Sequence, residues 1–200
     1  MHAACVKLYP IPSRRVDKNR AVKGDCMNRT VKKMIYCALF AALTAVCSQL
    51  AIPLQPVPIN LALLSVYIAG GLLGGSMGAA SQAVFLLIGA VGVPVFAGFR
   101  GGVQALVGPT GGYLIGYVAA AFVTGAIVKR LGAKPLKIAL ACAVGMAACY
   151  ALGTAWYCVQ SGTPALAALS TCVFPFLPGD AVKIAAAALL VPRLKGVIKL

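Results

Sequence analysis

Residues 113–128 read YLIGYVAAAFVTGAIV, and Lys129 and Arg130 follow directly. No charge interrupts this run, and its length approaches the roughly 20 residues with which an α-helix crosses a lipid bilayer. The whole chain has the same character, since 61% of its 200 residues are hydrophobic and 10% are charged. About a quarter of the residues in a soluble domain are charged. The composition therefore excludes a soluble protein and predicts an all-α, polytopic membrane protein.

Five other apolar segments accompany this run, so the sequence predicts six transmembrane helices. Pro53, Pro56 and Pro58 force an extended connection after the first helix, because proline has no amide hydrogen to donate and restricts the residue before it. The predicted spans are residues 34–52, 61–75, 78–93, 113–128, 136–157 and 175–191, with a short helix at residues 165–173. The predicted domains are a basic, disordered cytoplasmic tail over residues 1–32 and a six-helix membrane domain over residues 33–200.

The distribution of the cations predicts the orientation of these helices. The chain has 18 Lys and Arg against 3 Asp and Glu, and a net charge of +15 in a soluble chain would suggest nucleic-acid binding. All but two of the cations instead lie in three blocks, at residues 7–33, 129–137 and 193–199. If the chain crosses the membrane six times, the three cationic blocks all lie on the same side of it. The positive-inside rule identifies that side as the cytoplasm. We therefore expect cytoplasmic termini and contact with anionic lipid, not with nucleic acid.

Three charged residues remain outside the tail and the cationic blocks. Asp180 and Lys183 lie three residues apart in the last span, so their side chains share one helix face. Each charge costs roughly 2.5–3.5 kcal/mol near the middle of a bilayer, so the two residues either form an internal ion pair or line a polar substrate site. Arg100 lies in a glycine-rich stretch on the outer side, where it could bind a carboxylate or a lipid phosphate.

Other functional chemistry finds little support in the sequence. The eight cysteines contain no CxxC pair and His2 is the single histidine, so we expect neither a metal site nor a cofactor. The glycine-rich residues 108–112 lack the lysine of a phosphate-binding loop. An intramembrane enzyme would need a nucleophile and a base, or metal ligands, which the spans do not supply. We therefore expect that the protein is not an enzyme.

Small residues recur at helical spacing in the first two spans. Ala38 and Ala42 form one such pair, Ala41 and Ala45 another, and glycines repeat in the same way at residues 70–75. Small side chains let helices approach closely in lipid. The alanines therefore predict a contact, either within this chain or with another membrane subunit.

Four sequence strings occur in an order that resembles the BioY family, the biotin-binding S component of energy-coupling factor (ECF) transporters. They are PVPI at residues 56–59, GVPVF at residues 92–96, GPTGGYL at residues 108–114 and PFLPGDAVK at residues 175–183. The resemblance covers about residues 33–195. It implies a six-helix subunit of the bacterial cytoplasmic membrane that captures biotin from outside and docks on a transmembrane coupling subunit driven by two ATPase subunits. Any ATP hydrolysis would then belong to those partners.

The resemblance also assigns roles to individual residues. It implies a substrate site that contains Arg100, Asp180, Lys183, Tyr113 and Asn60, and a face of the first helix, with Ala38, Ala42 and Ala45, that contacts the coupling subunit. Members of the family often carry Thr and Gln where this chain has Asn60 and Ala62. We therefore expect a ligand contact from Asn60 and none from Ala62.

The chemistry of biotin fits these residues. Its ureido group has two N–H donors and a carbonyl acceptor, and its chain ends in a carboxylate. We expect Asp180 and Lys183 to bind the ureido ring and Arg100 the carboxylate, or the reverse, in a mostly apolar pocket. Two alternatives stay open. One is an S component for another vitamin, in which aromatic stacking on a planar ligand would be expected. The other is a structural membrane subunit with a merely internal Asp180–Lys183 pair.

Overall fold

The computed structural model describes residues 14–52 and 59–197 of the chain. Within this part the fold is all-helical, apart from one short two-stranded ribbon, which confirms the all-α part of the prediction. The predicted extended connection at Pro53, Pro56 and Pro58 and the first thirteen residues of the predicted tail lie outside the described residues.

The described elements follow one another with short connections. They are α1 (Arg14–Gln49), β1 (Ala51–Ile52), β2 (Ile59–Asn60), α2 (Ala62–Leu73), α3 (Gly75–Ala90), α4 (Val103–Val107), α5 (Gly111–Leu131), α6 (Pro135–Ser161), α7 (Ala165–Cys172) and α8 (Leu177–Val197), with one turn of 3-10 helix at Phe174–Phe176. The strands β1 and β2 pair antiparallel, with Ala51 opposite Asn60 and Ile52 opposite Ile59. This pairing brings the end of α1 next to the start of α2.

Four helical segments of the described chain are long and apolar enough to cross a membrane. They are Thr30–Gln49, Gly111–Leu131, Pro135–Ser161 and Ala165–Gly196. The helices α2 and α3 lie at the second and third predicted spans, and they are apolar but have only 12 and 16 residues. That all six segments cross the bilayer, with both termini in the cytoplasm, stays a prediction.

The helix α1 begins at Arg14, well inside the segment that was predicted to be a disordered tail. No proline interrupts the chain between Pro12 and Pro53, and Arg and Lys are good helix formers, so the basic residues continue the helix that the apolar residues form. At its other end α1 stops at Gln49, because Ala51 and Ile52 pair with β2. The division of the chain into a tail and a membrane domain at residue 32 stays a prediction.

The helix α5 lies at the centre of the fold and packs against α2, α3 and α6. Its approach to α2 and α3 depends on glycine. A Cβ atom at Gly125 would lie 2.6 Å from the carbonyl oxygen of Gly70 and would also collide with the amide nitrogen of Gly75. The glycines of the predicted small-residue pattern in α2 therefore serve contacts within this chain.

We predict opposite effects for two glycine-to-alanine substitutions. Gly125→Ala should lower the melting temperature of the purified protein, because overpacking against backbone atoms costs about 1–3 kcal/mol. Gly196→Ala is the matched control, since an added Cβ there meets no atom within 4 Å and alanine is the better helix former. Thermal unfolding in detergent, followed by circular dichroism, measures both. Equal melting temperatures for the two variants would show that α5 is not closely packed at Gly125.

Candidate functional site

A buried ion pair lies in the first turns of α8. The Lys183 Nζ atom donates to Asp180 Oδ1 at 2.7 Å, and only 7% and 2% of the surfaces of Lys183 and Asp180 are exposed. Asp180 is in the first turn of the helix, where the positive end of the helix dipole favours a carboxylate. Of the two arrangements expected from the sequence, the internal ion pair is formed, and a role in a substrate site stays a prediction.

Tyr150 of α6 binds the other oxygen of this carboxylate. Its hydroxyl donates to Asp180 Oδ2, so both oxygens of Asp180 have a partner. Sequence reasoning missed Tyr150, because it lies 30 residues from Asp180, carries no charge and belongs to no motif. The only signal would have been a phenol hydroxyl in an apolar helix, where a buried hydroxyl requires a hydrogen-bond partner.

Tyr113 of α5, which the sequence predicted as a site residue, lies next to Tyr150. The two rings are 6.3 Å apart between centroids and make an angle of 78°, an edge-to-face contact. The Tyr113 hydroxyl is 3.1 Å from Thr154 Oγ1. The ring packs directly on Gly153, where a Cβ would lie 2.5 Å from Tyr113 Cγ. Helix α6 therefore holds Tyr113 against the side chain that binds Asp180.

Asn60 lies where β2 leads into α2. Its Oδ1 atom accepts hydrogen bonds from the Ala62 amide at 3.2 Å and from the Tyr117 hydroxyl at 3.3 Å. Tyr117 lies one helical turn after Tyr113 and near Asp180. Asn60 is thus connected to the Asp180 cluster through Tyr117, while its amide nitrogen donates to no described residue.

Tyr67 of α2 adds a further hydroxyl to this region. The residue is completely buried, and its hydroxyl has no hydrogen-bond partner among the described residues. It lies near Asp180 and Tyr150. A buried hydroxyl without a partner carries a desolvation cost of about 1–3 kcal/mol. A bound ligand or a water molecule in contact with Tyr67 would remove that cost.

Arg100 lies apart from this cluster. It is exposed at the end of a tight turn between α3 and α4, and its guanidinium forms no hydrogen bond or ion pair with another described residue. The structure thus places Asp180, Lys183 and Tyr113 together, connects Asn60 to the helix that carries Tyr113, and leaves Arg100 without a partner among the described residues. The assignment of all five residues to a substrate site stays a prediction.

The three alanines predicted to contact a coupling subunit differ in exposure. Ala38 and Ala42 are exposed, whereas Ala45 is half-buried and Ala41 is buried in the core. Large apolar side chains are exposed around the first two, namely Met34, Ile35, Leu39, Leu43 and Val46. The outward face of α1 is therefore apolar with small residues at its centre.

Comparisons with known proteins agree on one family. The model of the BioY family matches residues 18–199. The biotin transporter BioY of Thermotoga maritima is 37% identical over 166 residues, which cover 82% of this chain and 96% of the relative. The biotin transporter BioY of Rhodobacter capsulatus is 42% identical over 159 residues, or 73% of this chain and 84% of the relative.

A solved structure has the same fold as this chain. It is the crystal structure of the S-component for biotin from an ECF-type ABC transporter. It matches with a TM-score of 0.78 and 32% identity, over 84% of this chain and 93% of the solved chain.

We predict that the stabilities of Asp180 and Lys183 variants are not additive. Lys183→Met leaves a buried carboxylate without its cation, which costs about 3–5 kcal/mol. Adding Asp180→Asn removes that unpaired charge, so the double variant should be more stable than the sum of the single effects predicts, by about 0.5–3 kcal/mol. Chemical denaturation in detergent measures this coupling.

Lys195→Met is the control for the same helix, because Lys195 pairs with no described acid and its loss should change stability little. Additive effects of Asp180→Asn and Lys183→Met would mean that the two residues do not depend on each other.

Proposed function

The chain belongs to the BioY family, and we propose that it takes up biotin across the membrane as the substrate-capturing S component of an ECF-type transporter. In this function no covalent bond is made or broken. The chain binds the vitamin, changes conformation and releases it, and the energy comes from ATP hydrolysis by partner subunits. The observation that carries the proposal in this chain is the buried Asp180–Lys183 pair with the Tyr150 hydroxyl on it.

The donors and acceptors of this cluster match the polar groups of biotin. Each oxygen of a carboxylate accepts more than one hydrogen bond, so Asp180 can accept from the ureido N–H groups while Lys183 and Tyr150 stay bound to it. The Lys183 ammonium, which has two further N–H groups, and the Tyr67 hydroxyl, which has no partner among the described residues, can donate to the ureido oxygen. The tyrosine rings and the surrounding apolar helices provide the apolar walls that a small ligand with few polar groups requires.

Arg100 completes the proposed site from the outer side. Its exposed guanidinium has no partner among the described residues and can bind the carboxylate of the biotin chain with two hydrogen bonds. Asn60 contributes its amide nitrogen, which donates to no residue that the structure describes. Tyr113 orients the ring of Tyr150. The opposite assignment, with Arg100 at the ureido ring, uses the same residues, so the binding test below applies to both orientations.

The proposed assembly follows from the exposed face of α1. An apolar face with Ala38 and Ala42 at its centre permits a close contact with a helix of a transmembrane coupling subunit. Two cytoplasmic ATPase subunits would bind that subunit. The proposal places the chain in the bacterial cytoplasmic membrane, with six spans, both termini and the basic tail on the cytoplasmic side, and its outer surface at the Arg100 turn.

We predict that the purified protein retains biotin. Mass spectrometry of the small molecules that copurify with the protein in detergent should detect biotin in a stoichiometric amount. Another vitamin at that stoichiometry would favour a different S component, and no bound vitamin would favour a structural subunit.

We predict that two variants weaken the binding of labelled biotin. Asp180→Asn and Arg100→Ala should each raise the dissociation constant by about 10- to 100-fold, because a hydrogen bond to a charged group contributes about 1.5–3 kcal/mol. Arg130→Ala is the matched control, since Arg130 is an exposed cation in the last turn of α5. Affinities of both site variants equal to that of Arg130→Ala would refute this site.

We predict that a bulky residue on the outward face of α1 separates uptake from binding. Ala42→Trp should abolish the copurification of the coupling subunit and the uptake of labelled biotin, while biotin still binds to the isolated protein. Ala185→Trp is the control, because Ala185 is also exposed and lies on α8 instead of α1. If both variants support full uptake, the α1 face is not the docking face.

A further inference from the structure

Gln49, the last residue of α1, forms three hydrogen bonds with the backbone of a segment almost fifty residues away. Its Nε2 atom donates to the carbonyl oxygens of Pro94 at 3.2 Å and Phe96 at 3.1 Å. Its Oε1 atom accepts from the Phe99 amide at 3.1 Å. The neighbouring Ser48, which is buried, donates to the Val95 carbonyl. The end of α1 therefore holds most of the backbone of residues 94–99.

The segment that Gln49 holds is a tight hairpin that ends at Arg100. Phe96 and Arg100 exchange two backbone hydrogen bonds, of 2.9 Å and 3.2 Å. Between them Gly98 has a φ of 73° and Phe99 a φ of 56°. A left-handed conformation is costly for phenylalanine and persists only when the surroundings fix it. The bond from the Phe99 amide to Gln49 Oε1 supplies one such constraint.

The hairpin is also held by an apolar contact, which involves Phe96 and not Arg100 itself. Phe96 is 3% exposed, and its ring packs edge-to-face on Phe85 of α3 with 5.5 Å between centroids. The carbonyl oxygen of Phe96 accepts hydrogen bonds from both the Arg100 amide and Gln49 Nε2. One atom thus joins the Gln49 side chain to the backbone of Arg100, while Phe99 on the far side is 74% exposed and provides no packing.

We propose that Gln49 is a positioning residue for the substrate site. It does not touch the ligand, but it fixes the hairpin so that the Arg100 guanidinium is presented to the ligand carboxylate. Without Gln49 the hairpin samples several conformations, and the ligand then has to order it on binding, which weakens affinity. This inference rests on the proposed function and on the proposed role of Arg100.

The first test does not need a ligand. Trypsin cleaves after an exposed arginine when the backbone can open locally, so Gln49→Ala should accelerate the cleavage between Arg100 and Gly101 several-fold in the detergent-solubilised protein. Gln160→Ala is the matched control, because Gln160 is also a glutamine at a helix end that donates to a backbone carbonyl, that of Val107, outside the hairpin. Equal cleavage rates for Gln49→Ala and the unaltered protein would overturn the proposal whatever the protein transports.

The second test is a double-mutant cycle on the affinity for labelled biotin. Gln49→Ala should raise the dissociation constant about tenfold. In a protein that already carries Arg100→Ala, Gln49→Ala should have no further effect, because the residue it positions is absent. Gln160→Ala should bind like the unaltered protein, and the melting temperatures should remain alike. An equal loss of affinity in both backgrounds would indicate a general structural role and would overturn the proposal.

The two tests separate the failure of this inference from that of the proposed function. If the unaltered protein binds no biotin, the proposed function is refuted. The proteolysis experiment then still decides whether Gln49 fixes the hairpin. An unaltered protein that binds biotin, together with a Gln49→Ala variant of normal affinity, refutes the positioning role alone.

Discussion

The fold depends on the burial of one carboxylate among apolar helices. An isolated charge at that depth is unfavourable, so Asp180 requires partners for both of its oxygens, and it obtains them from Lys183 on its own helix and Tyr150 on α6. The first partner orients the side chain along α8. The second fixes α6 against α8. Tyr113 packs on Tyr150, and α5 is thereby placed next to the same cluster.

Close packing around α5 helps to bring the partners of the buried Asp180 carboxylate together. Gly125 lets α5 approach α2 and α3, and Gly153 lets the Tyr113 ring lie on the backbone of α6. Both contacts bring helix axes nearer than side chains of ordinary size would permit. As a consequence, Tyr113 and Tyr117 project from one face of α5 into the region of Asp180. The small residues therefore help to position the polar cluster. A substitution that disturbs the packing of the apolar core at Gly125 or Gly153 should also displace the polar side chains.

The sequence predicted the features that depend on neighbours along the chain. The six apolar segments, the short α7 helix and the Asp180–Lys183 pair all follow from local spacing or composition. Tyr150 and Gln49 could not be predicted, because their partners lie 30 and almost 50 residues away and neither side chain is charged. The basic tail over residues 1–32 stays a prediction, although α1 is helical from Arg14.

The two polar regions of the proposed site are held by interactions of different strength. At Asp180 the hydrogen bonds involve charged groups in a buried environment, where opening would leave a carboxylate without partners. At Arg100 the hairpin is held by neutral amide–carbonyl bonds from Gln49, which is only half-buried, so each of these bonds contributes less than a bond to a buried charge does. Local opening therefore requires much less free energy at the hairpin than at the ion pair. A ligand that contacts both regions consequently meets a rigid region at Asp180 and, at Arg100, a region whose order depends on the few bonds from Gln49.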